Sequence, residues 1–481
     1  MIELQFSSVY CNILNTSLDP VIEEGLFNLL SYHPEGYFYS PKYQSGVWDG
    51  LVHLYQPKHK RFKTGLLNRV IKYLKDNNLD YHITDLPPSS EFLQKHNTYK
   101  LRPYQETSVR KILSSRFGIL EAPPRSGKTV IMIATVDSEQ KFPVVFFCRN
   151  LDLAYQTREK IQFFLPDLPV GLVGDGNIQC EEQGITIATI QSVFSAYGKK
   201  YELSRGEPEE KPISDRLKLK KLLAKAKIAF YDECHHGGGK TSKFVLDNCA
   251  SLQMRIGLSA TPFSDSENEL INENALGEVI HKISYSELIR DGYILAPTIY
   301  LYKLPKLLCE GTYPTVYKKA VIENSFLEGL IFKIVKKIIN KGKSVVLQTE
   351  YINHSIRLGK LLNCEVLTGK DTTEKRKDII DKLKRKEILC LVSTLFEEGL
   401  DIPSLSYTIN VAGGLSNIST LQRMRSITAD NGKTSCGIVD FQHQCKYLSR
   451  HSLIRKNLYE AEPEFKLNKI DVSKKTLEEI S

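Results

Sequence analysis

Glu121-Ala-Pro-Pro-Arg-Ser-Gly-Lys-Thr-Val-Ile131 lies between two apolar runs, 117–120 and 130–136. The pattern predicts a strand, a glycine-bearing turn and a helix, which is the layout of a phosphate-binding loop. Gly127 lets the backbone come close to a phosphate. Successive N–H groups at the helix N-terminus supply donors and a favourable dipole. Lys128 would then reach the β- and γ-phosphates of ATP and Thr129 would hold Mg²⁺, with Pro124, Arg125 and Ser126 forming the rest of the cradle. Where the full pattern has its first glycine, this chain has Ala122. Gly-Lys-Thr alone also fits an ordinary surface turn, so the rest of the chain has to decide.

Working outward, 481 residues are enough for about three domains, and 41% hydrophobic residues suffice to bury full cores. The net charge of +9 suits a polyanionic partner, but equally a lysine-rich solvated surface. Ten cysteines without a CxxC pair point to a reducing, intracellular compartment. Cys234-His235-His236 has no second half-site at zinc-finger spacing, so zinc is not expected. With no run of 18 apolar residues and no basic segment leading into an apolar one at the N-terminus, the sequence predicts a soluble cytoplasmic protein without a membrane partner.

Residues 1–88 differ in texture from the remainder: they hold the only Trp, many Tyr and short alternating runs. Strands are predicted at 3–9, 48–55 and 79–84 and helices at 20–31 and 65–77, which makes a small α+β domain ended by a Pro-Pro-Ser-Ser linker at 87–90. Its basic turn, Lys58-His-Lys-Arg-Phe-Lys63, would present Lys58, Lys60, Arg61 and Lys63 to DNA phosphates, or it is a plain hairpin tip. From residue 99 strands alternate with helices, the sign of parallel sheets covered on both faces. Strands are expected at 144–148, 185–190, 228–231 and 256–258, then at 344–348, 364–367, 388–393, 407–411 and 435–440. Charged residues 198–227 read as an insertion leading into a basic helix. The predicted divisions are 1–88, 98–295, 296–452, and a tail or helix at 453–481.

Asp232-Glu-Cys-His235 follows an apolar strand downstream of Lys128. An Asp at a strand's C-terminal end can hold Mg²⁺, and the adjacent Glu233 can polarise an attacking water. Ser259-Ala-Thr-Pro262, after the next strand, would couple the nucleotide state to the second half through Ser259 and Thr261.

The series resembles the superfamily 2 helicases. Residues 122–129 match motif I, 232–235 match motif II as a DECH variant, and 259–262 match motif III. Arg102 and Gln105 in Leu-Arg-Pro-Tyr-Gln105 fall at the adenine-side motif. Ser393-Thr-Leu-Phe-Glu-Glu-Gly-Leu-Asp-Ile-Pro403 looks like motif V, with Gly399 and Asp401 at the positions that touch nucleotide. Motif VI departs from its family pattern, Q-x-x-G-R-x-x-R. Gln422-Arg-Met-Arg-Ser-Ile-Thr-Ala429 has Arg425 for the glycine and Ser426 and Ala429 for the arginines. The need for positive charge at the transition state then falls on Arg423 or Arg425.

The N-terminal part, with Trp48-Asp-Gly50, a strand, a basic turn and Gly65-Leu-Leu, resembles the small domain of UvsW-type phage helicases. The resemblance implies an α/β fold: two RecA-like parallel-sheet domains of the P-loop NTPase kind, preceded by a small α+β N-terminal domain. It implies a monomeric, ATP- and Mg²⁺-dependent enzyme that unwinds or branch-migrates forked and junction DNA in phage recombination, replication or repair. The N-terminal domain, Trp48 included, would grip the duplex, and if phage-encoded the protein would act in the host cytoplasm. An RNA helicase, or a DNA-binding clamp whose ATPase has decayed, are the alternatives.

Overall fold

Strands that are apolar without interruption, such as Val144–Cys148 (VVFFC) and Ile185–Thr189 (ITIAT), are buried along their whole length. Such runs belong in the middle of a parallel sheet flanked by helices. The computed structural model describes residues 1–34, 36–197, 213–234, 239–260, 269–395, 402, 405–414, 433 and 435–479, and two such sheets form its framework. The first has the order Asn177–Ile178, Val170–Gly174, Ile185–Thr189, Val144–Cys148, Ile228–Asp232, Met254–Ser259, Phe117–Glu121, Val279–Lys282. Only the outer strand Asn177–Ile178 runs antiparallel to its neighbour. The second runs Glu365–Leu367, Cys390–Ser393, Val345–Gln348, Tyr407–Asn410, Cys436–Gln444, Pro297–Lys306, Lys466–Asp471, and every pairing in it is parallel. The ten cysteines are free thiols, mostly buried as small core residues. Among the described residues no helix is long and apolar enough to cross a membrane.

The chain divides into two compact units: Met1–Ala122 with Ser126–Ile283, and Ser284–Ser481 with Pro123–Arg125. The division therefore falls at 283/284 rather than at the expected 295/296. The reason is local: Ser284 caps the helix Tyr285–Arg290 by accepting from the Glu287 N–H, and Ser286 of that helix donates to Glu462 in the same unit.

Within the first unit the N-terminal domain is a four-stranded sheet, ordered Arg61–Lys63, Tyr10–Ile13, Ile2–Phe6, Tyr81–Thr84, with helices Pro20–Leu29 and Leu67–Asp76. Asp19 starts the first helix by accepting from the Val21 N–H, with Pro20 at the position where no donor is needed. Two strands here, Tyr10–Ile13 and Arg61–Lys63, were not foreseen. The stretch expected as a strand at 48–55 pairs only over Val52–His53.

This small domain is not tethered loosely. Phe117 and Leu270 of the parallel-sheet domain are buried in the same apolar cluster as Leu4, Phe62 and Leu66. The Phe6 and Phe117 rings meet edge to face at 5.1 Å. Around this contact Ser8 donates to the Ala250 carbonyl (2.6 Å), Arg69 pairs with Glu273 (2.8 Å) and Asn68 donates to Glu278 (2.7 Å). Gly65 lies so close that a Cβ there would sit 2.0 Å from the Glu273 carbonyl oxygen. The linker is pinned as well, since the Lys95 and His96 N–H groups donate to Asp137 and the Leu93 N–H to Ser138.

In the second unit the helix Ser325–Ile339 buries Leu327, Leu330, Ile331, Ile334, Val335 and Ile338, an i, i+3/i+4 stripe, against the sheet. The described part of the C-terminal stretch, 453–479, is folded into this unit. The helix Leu448–Glu460 and the edge strand Lys466–Asp471 make it an integral part of this unit. Arg455 of that helix is wholly buried. It holds Asp440 through Nε (2.8 Å) and Nη2 (3.0 Å) and donates to the Gly413 and Gly414 carbonyls (2.9 and 2.8 Å). Tyr459 and Asn410 donate to the same carboxylate.

Candidate active site

The strand Phe117–Glu121 ends at the C-terminal edge of the sheet, and after six intervening residues the helix Lys128–Glu139 begins. Between them the backbone twice enters the left-handed region, at Arg125 (φ 73°) and Gly127 (φ 82°). Gly127 is the N-cap of the helix, and no side chain caps it, so the first-turn N–H groups remain available to an anion. The φ of 82° at Gly127 favours glycine, and a Cβ there would stand 2.3 Å from Gln105 Nε2 and displace that amide. Ser126 Oγ is fully buried with no hydrogen-bond partner. The Lys128 ammonium is half-buried and donates to the Ala122 carbonyl at 3.2 Å, across the loop. An orphaned hydroxyl, an uncapped helix start and a lysine folded over the turn are a donor set that fits a polyphosphate.

The loop is braced from behind. Gln105, 4% exposed, donates to the Ser126 carbonyl at 3.1 Å, and Tyr104 OH donates to the same oxygen at 2.8 Å. The Arg102 N–H in turn donates to Gln105 Oε1, and Arg102 Nη1 to Tyr104 OH. Gln105 thus reaches the loop backbone. Tyr104 is a residue the sequence reading passed over, although it lies between the two that were singled out.

Asp232 closes the strand Ile228–Asp232, two strands from the loop, with Met254–Ser259 between them. Asp232 lies beside Leu258, and Ser259 beside Glu121. At a strand spacing of about 4.8 Å this sets Asp232 roughly 10 Å from the start of the loop, on the same C-terminal edge. Ligands of open parallel sheets bind at this edge. Asp232 Oδ1 accepts from the Glu233 N–H, and Glu233 has positive φ (49°), a strained setting for a residue with a side chain. The buried Ser259 accepts the Ala122 N–H on its carbonyl at 2.8 Å, tying the loop to its neighbouring strand. Cys234 packs under this edge, where a Cβ at Gly257 would meet its sulfur at 2.9 Å. Burial raises its thiol pKa well above the ordinary value, so it is a packing group.

The basic turn departs from its reading. Lys63 is 8% exposed, its ammonium 2.7 Å from Asp247 and 4.0 Å over the Tyr10 ring, so it serves the domain contact and is turned away from any phosphate. Lys60 donates to the Asn15 and Thr16 carbonyls, while Arg61 bonds Gln56 and lies over Tyr10. Lys58 alone of the four is exposed. Trp48 is half-buried and donates to the Leu51 carbonyl. The rings that do face solvent are Phe38 (50% exposed), Tyr39 (73%) and Tyr43 (37%). They lie just before Trp48, in the same aromatic-rich segment. Thr261, Gly399, Asp401, Gln422, Arg423 and Arg425 fall outside the described residues.

Three family profiles match the chain. "DNA helicase UvsW, N-terminal" matches residues 2–84, "Type III restriction enzyme, res subunit" residues 98–264, and "Helicase conserved C-terminal domain" residues 330–425. A protein called helicase 22 of Sulfolobus islandicus filamentous virus is 27% identical over 397 residues, 76% of this chain and 68% of its own length. The ATP-dependent DNA helicase uvsW of Enterobacteria phage T4 is 20% identical over 454 residues, 87% of this chain and 86% of its own. Among solved structures, the DNA-bound Type ISP restriction-modification enzyme LlaBIII superposes with a TM-score of 0.55 at 15% identity, covering 78% of this chain and 32% of that one.

Proposed function

We propose that the chain is a superfamily 2 helicase with a UvsW-type N-terminal domain, an ATP- and Mg²⁺-dependent enzyme that translocates on and remodels forked or junction DNA. The observation that carries this is one sheet edge holding both the uncapped helix start behind Gly127 and the carboxylate of Asp232. Lys128 would neutralise the β/γ-phosphate oxygens, Ser126 and the loop N–H groups would cradle them, and Thr129 and Asp232 would hold the metal. Glu233, held in its strained turn beside Asp232, would orient the attacking water. Magnesium, when bound, offsets phosphate charge. Gly399, Asp401, Gln422 and Arg423 or Arg425 would complete the site from the second domain, and Ser259 and Thr261 would couple the two.

The apolar core shared with the N-terminal domain supports a particular division of labour. A DNA grip built on that domain would follow the ATP-binding domain as one body, so closure would drag the duplex. The grip would not rest on net charge. Residues 1–88 hold 8 Lys/Arg against 9 Asp/Glu, a balance of −1, while the whole chain is +9. We assign it instead to the exposed rings Phe38, Tyr39 and Tyr43, which can stack on unpaired bases at a branch, with Lys58 on a phosphate.

The test is ATP hydrolysis by the purified protein with no nucleic acid, single-stranded DNA, linear duplex, a four-way junction or RNA. Strongest stimulation by the junction is the expected result. Stimulation by RNA alone would overturn the DNA assignment, and no hydrolysis in any condition would leave a clamp with a decayed ATPase.

A further inference from the structure

The second sheet brings two thiols together at its edge. Its outer strand Glu365–Leu367 pairs in parallel with Cys390–Ser393, and Glu365 stands opposite Leu391. One residue earlier, the same register sets Cys364 opposite Cys390. The strand spacing of about 4.8 Å lies within the roughly 4.4–6.8 Å over which a disulfide can join two Cα atoms. Both side chains leave the sheet on one face. Cys364, Val366, Cys390 and Val392 share an apolar cluster, whereas Leu367 and Leu391 belong to another. The two thiols are close enough to hydrogen-bond each other.

Both also line a cavity of about 760 Å³ between the end of the helix Ile352–Leu362 and the sheet. That is room for a small peptide-sized reagent. Its walls include Ile339, Leu362 and Ile388, and its rim carries the exposed Lys360, Asn363 and Glu365. The two sulfurs differ in setting. Cys364 is half-buried, whereas Cys390 is 6% exposed. The hydrogen bond from Cys390 holds the Cys364 thiol below its ordinary pKa, and the same bond, with burial, pushes Cys390 up. An accessible sulfur that ionises first, backed by a second thiol, is the arrangement of an attacking and a resolving cysteine. Other cysteines lack one part of it. Cys180 is also half-buried, but burial and the nearby Asp215 and Glu181 push its thiol up to about 11. Cys309 and Cys445 lie near one another, but both are buried.

We propose that Cys364 and Cys390 form a thiol–disulfide exchange site for small disulfides of the glutathione class. The Cys364 thiolate attacks one sulfur of the reagent, forming a mixed disulfide and expelling a first thiolate, which takes up the proton that Cys364 lost. Cys390 Sγ then attacks Cys364 Sγ, and its proton goes to the second departing sulfur. Two protein thiols are oxidised, one small disulfide is reduced to two thiols, and the product is a Cys364–Cys390 cross-link. That link ties the edge strand to the strand running into residues 393–403. The exchange needs neither nucleotide nor DNA, so it stands apart from the helicase reading.

The test incubates the reduced full-length protein with oxidised glutathione, traps the remaining thiols by alkylation and maps every cysteine by mass spectrometry. The parent should lose two of its ten thiols, with Cys364 joined to Cys390, no glutathione retained, and all ten recovered on reduction. Cys390→Ala should halt the sequence at its first step and keep one glutathione on Cys364. Cys364→Ser should leave Cys390 a free thiol. The parent's product decides the matter even where a variant at the buried position fails to fold. Three results overturn the proposal: Cys364 and Cys390 both remaining thiols, glutathione retained on Cys364 in the parent, or oxidation at Cys180 or Cys309–Cys445 ahead of this pair.

Discussion

Lys128 in the glycine-bearing loop and Lys63 in the N-terminal basic turn both follow tight turns, and the fold holds them in opposite ways. Lys128 meets a single loop carbonyl at 3.2 Å, a weak neutral partner that a phosphate would displace. Lys63 meets a carboxylate at 2.7 Å and an aromatic face, and its side chain is 9% exposed. One ammonium has a weak neutral partner, and the other is already neutralised inside the protein. Positive charge in a sequence is therefore no measure of charge offered to a ligand, and what decides is whether an acid lies within reach in three dimensions.

The sharpest break of this contrast is Lys128→Ala. Its loss should reduce ATP turnover by ~10³-fold or more, the scale on which cations act in phosphoryl transfer. That corresponds to about 4 kcal/mol of barrier, whereas stability should move by no more than about 0.5 kcal/mol because only one neutral contact is lost. Hydrolysis measured beside a thermal melt separates the two. A large fall in melting temperature with turnover intact would put Lys128 in the class of Lys63.

Arg455 carries the internal use of charge to its limit. Both it and Asp440 are wholly buried, and its remaining donors hold the Gly413 and Gly414 carbonyls. Replacing Arg455 with Met leaves that carboxylate buried with only Tyr459, Asn410 and the Phe441 N–H to face it. The second unit should lose about 3–5 kcal/mol, seen as a lower urea midpoint at unchanged slope. A loss below 1 kcal/mol would mean that water already reaches the pair.

These cases also explain what could be read in advance. The phosphate loop was legible because its demands are local: a glycine where a Cβ would strike Gln105, and a strand and helix fixed by adjacent apolar runs. The uninterrupted strands of both sheets were legible for the same reason. The fate of Lys63 was not, since Asp247 lies far along the chain and the pairing depends on how the small domain docks. Equally hidden was the edge strand Lys466–Asp471, too polar and too exposed to give an apolar pattern. Trp48 was singled out by rarity, yet Phe38 and Tyr39 are the rings in solvent, because exposure is decided by tertiary packing.

The smallest effects test the turn itself. Lys63→Ala removes a cation from an acid that is 34% exposed on its side chain and that also interacts with Arg255, so solvent and a second cation soften the loss. The expected cost is about 1–2 kcal/mol of stability in the first unit, with no change in the salt dependence of DNA binding. Lys58→Ala should do the reverse. Its side chain is exposed, so stability stays within about 0.5 kcal/mol, and the salt slope for duplex DNA becomes shallower by about 0.9 if that one phosphate contact is lost. Urea unfolding and salt-titrated anisotropy on the two variants give four numbers, and the contrast predicts a crossed pattern. If Lys63→Ala flattened the salt slope and left stability alone, its ammonium would leave Asp247 for a phosphate when DNA binds. The docking of the N-terminal domain would then depend on DNA rather than on the core it shares with the parallel sheet.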